Sequence, residues 1–221
     1  MKLLASIALL ICMPIFGQNI EVFGGLNTSF YHDFEDDHGH YRSSYNSGSG
    51  YSFGVAIDSI RFDKTRRIRL TLMFNKYAGE LTASGGGLGG GYTTQADFEK
   101  QIISLGVYPL NFRNIKGFDI NIGFEVSRLI QESINGIRKG WMAGENYSNT
   151  IQEQYKQYSS TTTIALCARL AYSFKLNESI LILPQYGFYY GLKGEFQEFP
   201  KGTKSIRNFI GIGVKMTLNK N

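Results

Sequence analysis

The chain's three histidines fall in or beside one segment: His32, His38 and His40, interleaved with Asp33, Glu35, Asp36 and Asp37. A His-x-His pair beside carboxylates is a donor set for a transition metal. A metal centre also needs second-shell groups that fix its ligands, and nothing else in the sequence completes the site. His38 and His40 are weak metal candidates, and a solvated polar loop is the plainer reading. Nucleophilic catalysis needs a hydroxyl within hydrogen-bond reach of a base. Here His32 or His38 would have to meet Ser84 or Ser133 through loop folding alone. The run 84–91 (SGGGLGGG) lacks the Lys-Ser/Thr and following helix of a phosphate loop, so it reads as a flexible loop tip. Trp141, the single tryptophan, is read as packing its own loop rather than as a binding hot spot. No catalytic residue and no cofactor is expected.

The remaining chemistry is ionic. Glu21, Asp58, Arg67, Arg69, Asp119, Glu125, Arg169, Arg207 and Lys215 all fall on the polar side of stretches that alternate apolar and polar residues. Eight such stretches occur, near 19–32, 49–60, 66–78, 97–110, 117–130, 159–175, 179–191 and 205–218, and period-two alternation predicts strands. In the last, Ile206, Asn208, Ile210, Ile212, Val214, Met216 and Leu218 share one face, opposite Arg207, Gly211, Gly213, Lys215 and Thr217. The stretches 97–110 and 179–191 are blurred, the second by Pro184, which inside a strand marks an edge or a bulge.

Connections between these stretches alternate in length. Short ones near 62–65, 111–116 and 177–178 are interleaved with long ones at 33–48, 79–96, 131–158 and 192–204. An up-and-down barrel with short turns at one end and long loops at the other produces that order. The prediction is an all-β, eight-stranded antiparallel transmembrane barrel, with its apolar face turned to lipid and the nine charged residues in a side-chain-filled lumen. Interior glycines (Gly25, Gly54, Gly106, Gly123, Gly211 and Gly213) are expected to make room for the long Arg and Lys side chains, and Cys167 to act as lumen filler. Aromatic girdles are expected at both rims: Phe30, Tyr51, Phe74, Phe98, Tyr189 and Tyr190 at one, and Phe62, Phe112, Phe118, Tyr172 and Phe174 at the other.

The beginning of the chain fits export. Lys2 and an apolar run from 3 to 16, too short to span a bilayer, precede Gly17 and read as a signal peptide over 1–18, leaving 19–221 as the barrel domain. A lipoprotein signal is excluded because Ile11, rather than a small residue, precedes Cys12. Only Cys167 then remains, so no intramolecular disulfide can form. The net charge of +5 and pI of about 9.1 do not gather into a basic stripe, which argues against nucleic acid.

These features resemble the small outer-membrane β-barrel domain of Bacteroidota-type bacteria, the group of PorT-like and OmpA-like eight-stranded barrels. The resemblance covers essentially the whole chain after residue 18. It rests on the leader ending at Gly17-Gln18, the opening strand with Gly24-Gly25, the segment Leu105-Gly106-Val107-Tyr108-Pro109-Leu110, and the closing strand. That last strand is similar to the terminal signal read by the barrel-assembly machinery through Gly213, Met216 and Leu218, although the chain ends Asn219-Lys220-Asn221. The resemblance implies the cell outer membrane, and the even strand number leaves both mature termini periplasmic. Outer-membrane lipid and lipopolysaccharide are expected to surround the barrel, with a protein partner possible at the extracellular loops. A non-enzymatic role in envelope structure, surface recognition or assembly is expected. The alternatives are a lipid A acyltransferase or deacylase, and a soluble lipocalin-like barrel.

Overall fold

A computed structural model describes residues 19–32, 41–61, 67–153, 159–196 and 203–217. The leader, His38, His40, Phe62 and Leu218 lie outside the described residues, as does the side chain of Arg67. Eleven strands run in chain order: β1 (Asn19–His32), β2 (Tyr41–Ser47), β3 (Ser49–Arg61), β4 (Arg67–Gly87), β5 (Gly90–Ile115), β6 (Phe118–Met142), β7 (Glu145–Glu153), β8 (Thr162–Tyr172), β9 (Phe174–Lys175), β10 (Ile180–Gly191) and β11 (Lys204–Thr217). Every pairing is antiparallel. The order β1-β3-β4-β5-β6-β8-β10-β11 returns to β1 through the pairing of Asn19–His32 with Lys204–Thr217, so the sheet closes on itself. The three extra strands continue these staves. β2 and β3 both lie along β4, and the break between them at Gly48 is bridged by its amide donating to the Ala78 carbonyl. β7 and β8 both lie along β6, while β9 extends β8 beside β10. The barrel has eight staves, as the alternation predicts.

Side chains sort by face as in a membrane barrel rather than a soluble sheet. Leu26, Ile210 and Ile212 point outward with 68%, 67% and 59% of their surface exposed, while Glu21 and Glu125 inside are essentially inaccessible. On β11 the outward face carries apolar residues from 206 to 216, the roughly 9–11 residues that a tilted strand needs to cross a bilayer. Asn208 interrupts this run, and the Tyr186 hydroxyl on β10 donates to its side-chain oxygen at 2.6 Å. Outward aromatic groups form at both margins of the belt: Tyr51, Phe53 and Phe74 at one, and Phe118, Tyr172 and Phe174 at the other. Two residues expected in the girdles, Phe98 and Tyr189, point inward instead and are buried. Tyr189 and Tyr190 are consecutive, so strand alternation allows only one of them outside.

Two of the expected long loops are largely strand. β4 and β5 continue far past the barrel to a turn at Leu88 and Gly89, and β6 and β7 to a turn at Ala143 and Gly144. Residues 41–47 of a third expected loop form β2. The glycine run 84–91 is therefore mostly paired backbone rather than a loose tip, with Gly85, Gly86 and Gly87 opposite Tyr92, Gly91 and Gly90. Together β2, β4, β5, β6 and β7 build a five-stranded arm rising about 35 Å beyond the Gln101–Gln131 pair, at ~3.3 Å per residue. Its outward face is largely polar, and its inner face is apolar only at the root, where Tyr45, Leu81, Ala96, Phe98 and Ile134 pack together. Beyond that root the apolar/polar alternation fades, because neither face is pressed against an apolar phase.

Two irregularities set the side-chain facing. In β6 the extra residue Ile130 shifts register between Gln131 and Leu129, so inward positions change from odd (Glu125, Ser127) to even (Glu132, Ile134). In β5 a bulge at Tyr108 and Pro109 faces Gly123, where Pro109 needs no ladder hydrogen bond. A Cβ at Gly123 would collide with the Val107 carbonyl oxygen and lie 2.7 Å from Tyr108 Cα. Pro184 similarly sits where β10 passes from its β8 pairing to its β9 pairing. Gly123→Val is expected to cost about 3 kcal/mol or to prevent closure, since the obstacle is backbone that cannot swing aside. Loss of heat-resistant compact migration on a gel would register the effect, and unchanged migration and melting would disprove it.

Candidate functional site

The lumen is filled in tiers. At the end holding the short turns, Arg69 contacts two carboxylates: its guanidinium donates to Glu21 Oε2 at 2.9 Å and to Asp58 Oδ1 at 2.8 Å. Arg169 binds the other Glu21 oxygen, and Gln185 donates to the same atom at 3.3 Å. Lys215 lies 2.7 Å from Asp58 and 3.7 Å from Asp119. Side chains from four staves, β4, β8, β10 and β11, thus converge on Glu21 and Asp58. A lone buried carboxylate would be prohibitively costly, and the fixed cations make ionisation tolerable.

Above this ionic tier lies an apolar one of Phe23, Met73, Tyr108, Cys167, Tyr189 and Phe209, with Ala56 and Ala165. Phe23 and Phe209 meet edge to face with centroids 5.9 Å apart, and the Arg169 guanidinium lies 5.2 Å from the Phe23 centroid. Three of the six interior glycines, Gly54, Gly106 and Gly211, serve these rings, and none makes room for a cationic chain. A Cβ at Gly54 would meet the Phe23 ring at 2.8 Å, and one at Gly106 the Tyr108 ring at 3.0 Å. Gly213 instead makes room for Glu21 and Gln185. The expectation that these glycines accommodate Arg and Lys is corrected: a flat ring pressed against the sheet needs the absent Cβ more than a flexible chain does.

The next tier pairs Arg207 with Glu125 at 2.9 Å. The Ser127 hydroxyl donates to Glu125, and hydrogen bonds continue through Ser104, Asn75 and Ser52 to Asn27, crossing β6, β5, β4, β3 and β1. At the mouth the segment after β10 folds inward. Glu195 accepts from Lys100 at 2.6 Å and from the Ser205 hydroxyl at 2.5 Å, and its own amide donates to the Thr203 carbonyl at 2.8 Å. Ser160 holds the segment by donating from its amide to the Glu195 carbonyl at 2.6 Å and from its hydroxyl to the Gly194 carbonyl at 2.8 Å. Glu132 accepts from the Ser159 amide and hydroxyl. Tyr31, Tyr45, Phe98 and Phe196 then pack ring on ring over this plug, with centroid separations from 4.5 to 6.3 Å.

Of the nine residues singled out by alternation, the structure brings together Glu21, Asp58, Arg69, Asp119, Arg169 and Lys215 in one tier and Glu125 with Arg207 in another. The Arg67 side chain is outside the described residues. Lys100, Glu132 and Glu195 were missed. Glu132 lies past the register shift at Ile130, Lys100 shares its face with the apolar Phe98 and Ile102, and Glu195 lies in a connection that only tertiary folding carries inside. His38 and His40 are not described. Among the described residues no cluster of three or more His, Cys, Asp or Glu is placed to hold a metal ion. Ser84 and Ser133 both point to the outward face of the arm, in rows about 20 Å apart along β6. Cys167 is buried beside Tyr108 within the apolar tier.

No family model and no curated protein matches the chain. Among solved structures it is similar to neisserial surface protein A, at 11% identity over 91% of this chain and 97% of that one, with a TM-score of 0.42. It is also similar to Ail, the attachment invasion locus protein of Yersinia pestis, at 13% identity over 91% and 100%, with a TM-score of 0.43. The outer membrane protein OprG of Pseudomonas aeruginosa aligns at 14% identity over 91% and 97%, with a TM-score of 0.40.

Removing the central cation should expose what the ionic tier contributes. Arg69→Met leaves Glu21 and Asp58 short of a partner inside the barrel and is expected to destabilise it by about 3–5 kcal/mol, measured by urea unfolding in detergent. A loss below about 1 kcal/mol would show that these carboxylates do not depend on it. The plug has its own signature. Burial pushes the Glu195 carboxyl up, but Lys100, Arg207 and the Ser205 hydroxyl outweigh it and hold the group below the usual carboxylate range. Its folded-state pKa being lowered, its stabilisation is present above the ordinary carboxylate pKa and lost as pH falls through the folded value. Labelling of Thr203→Cys by an acid-reactive pyridyl disulfide should therefore be slow near neutrality and accelerate below about pH 4. With Glu195→Gln added, that acid step should vanish, and its persistence would assign the opening to another group.

Proposed function

We propose that this protein is an outer-membrane β-barrel that anchors a polar recognition arm at the cell surface and has no catalytic activity. The single observation that carries the reading is the inversion of polarity: ionic tiers inside, and an apolar belt outside on a sheet with no edge left unpaired within it. A bilayer is the phase in which that arrangement is the stable one. The leader read over 1–18 provides export, the closing strand is offered to the barrel-assembly machinery, and outer-membrane lipid and lipopolysaccharide surround the belt. Asn19 and Thr217 pair at the end bearing the short turns. That end is periplasmic, and the arm stands outside. A place among the Bacteroidota-type barrels is part of the same proposal.

Two features favour recognition over transport or chemistry. The tiers and the inward-folded plug fill the lumen from one end to the other, and the working surface lies in the arm. A lipocalin-like carrier needs an apolar interior cavity, whereas this interior is ionic and packed. A lipid A enzyme needs a nucleophile and base together, and the arm strands that carry Ser84 and Ser133 hold no histidine among the described residues. The test is extraction from outer membranes in mild detergent, followed by gel migration before and after boiling and by planar-bilayer recording. Faster migration of the unboiled form, recovery in the membrane fraction and no stable conductance are expected. Recovery in the soluble fraction without a migration shift would overturn the reading, and a steady open pore would overturn the filled lumen.

A further inference from the structure

The far end of the arm carries two features that anchoring alone does not use. The turns at Leu88 and Gly89 and at Ala143 and Gly144 lie side by side, joined by the Ala143 amide donating to the Gly89 carbonyl at 3.2 Å and by the Gly90–Met142 pairing. This end presents Leu88, Met142 and Trp141 to solvent, at 110%, 67% and 46% exposure. Single exposed apolar residues need no explanation, but three grouped at the tip of a polar arm mark an interaction site. The second feature is a cationic collar. Register places Arg42, Ser84, Thr93, Lys139 and Ser148 in one row across the outward face. In the adjacent row Arg138 lies on the opposite face, its Nε donating to Thr94 Oγ1 at 3.0 Å and its guanidinium 5.0 Å from the Tyr92 ring centroid. Between collar and tip, Glu145 is the one carboxylate among the described residues.

We infer that this tip inserts into an anionic lipid surface opposite the bilayer that holds the barrel. The inference rests on the membrane-anchored reading above and names the partner of its arm. The spacing matches the task. Met142 and Lys139 are three residues apart, about 10 Å along a strand, and interfacial apolar groups sink about 5–10 Å below the headgroups. With Leu88, Met142 and the Trp141 ring at that depth, Lys139, Arg138 and Arg42 lie level with the phosphates, where basic side chains are attracted. The two turns form a convex end, which suits a fluid phase that closes around it. A protein partner would have to supply the matching concavity. The arm's length keeps the tip clear of its own bilayer.

Trp141 is the only tryptophan in the chain, so its emission reports the tip alone. The full chain, held in a tryptophan-free amphipathic polymer, is mixed with phosphatidylglycerol vesicles and with phosphatidylcholine vesicles, with or without brominated acyl chains. A shift to shorter wavelength and quenching by the brominated chains are expected with the anionic vesicles. Leu88→Ser with Met142→Ser should abolish both, and Lys139→Gln and Arg138→Gln should each weaken the vesicle affinity about fivefold. Unboiled gel migration, checked on the same samples, separates two kinds of failure. Emission unmoved by any vesicle, with the compact fast-migrating form intact, overturns lipid insertion and leaves the anchored barrel standing. Loss of the compact form from wild-type protein overturns the barrel reading itself. Equal binding to both lipids would overturn the role of the collar.

Discussion

Closure of the sheet is the constraint from which the rest of this structure follows. Each backbone amide and carbonyl in the apolar belt needs a partner, because no water is available there to replace one. The pairing of β1 with β11 along their full lengths supplies the last set of partners and removes both edges at once. Once the ring is closed, strand alternation divides the residues into an outside and an inside with no third choice. Apolar residues outside and charged ones inside are then two consequences of one geometry.

The inside has to be filled, and it is filled with groups that are costly to bury singly. Convergence makes them tolerable. Glu21 is reached by Arg69 from β4, Arg169 from β8 and Gln185 from β10, so one carboxylate ties together staves far apart in sequence. The aromatic tier between the two ionic ones excludes water from both and so strengthens their attractions. Its rings fit because glycines two residues along the same stave (Gly106, Gly187 and Gly211) or on the next one (Gly54) carry no Cβ to oppose them.

Beyond the belt the same strands enter a different solvent and obey different rules. Past its root the arm keeps the ladder but loses the alternation, since water on both faces makes no demand for an apolar side. Its glycines and small polar residues allow close approach, as where the Tyr147 ring lies over Gly140, whose Cβ would stand 2.6 Å from that ring.

Period two, read along the chain, determined the number of staves, their direction and the residues facing in. It could do so because each position in the belt faces one of two phases of opposite polarity. β1 occupies 19–32 as the alternation predicts, and Glu21, Asp58, Arg69, Glu125, Arg169 and Arg207 face the lumen. Tertiary structure alone decided what that signal does not encode. The far ends of β4, β5 and β6, past the cluster of Leu81, Ala96, Phe98 and Ile134, are strand although neither face is apolar, because hydrogen bonding to a neighbour, invisible in one segment, holds them extended. Ile130 turns the side chains of β6 over in mid-strand, which brings Glu132 and Ile134 to the interior, and the bulge at Tyr108 and Pro109 does the same to the lower end of β5. Glu195 becomes a lumen residue only because Lys100 and Ser160, distant in sequence, are assembled with Ser205 at the mouth to receive it. Local pattern specifies a residue's phase, whereas its partner depends on where the closed ring places the other staves.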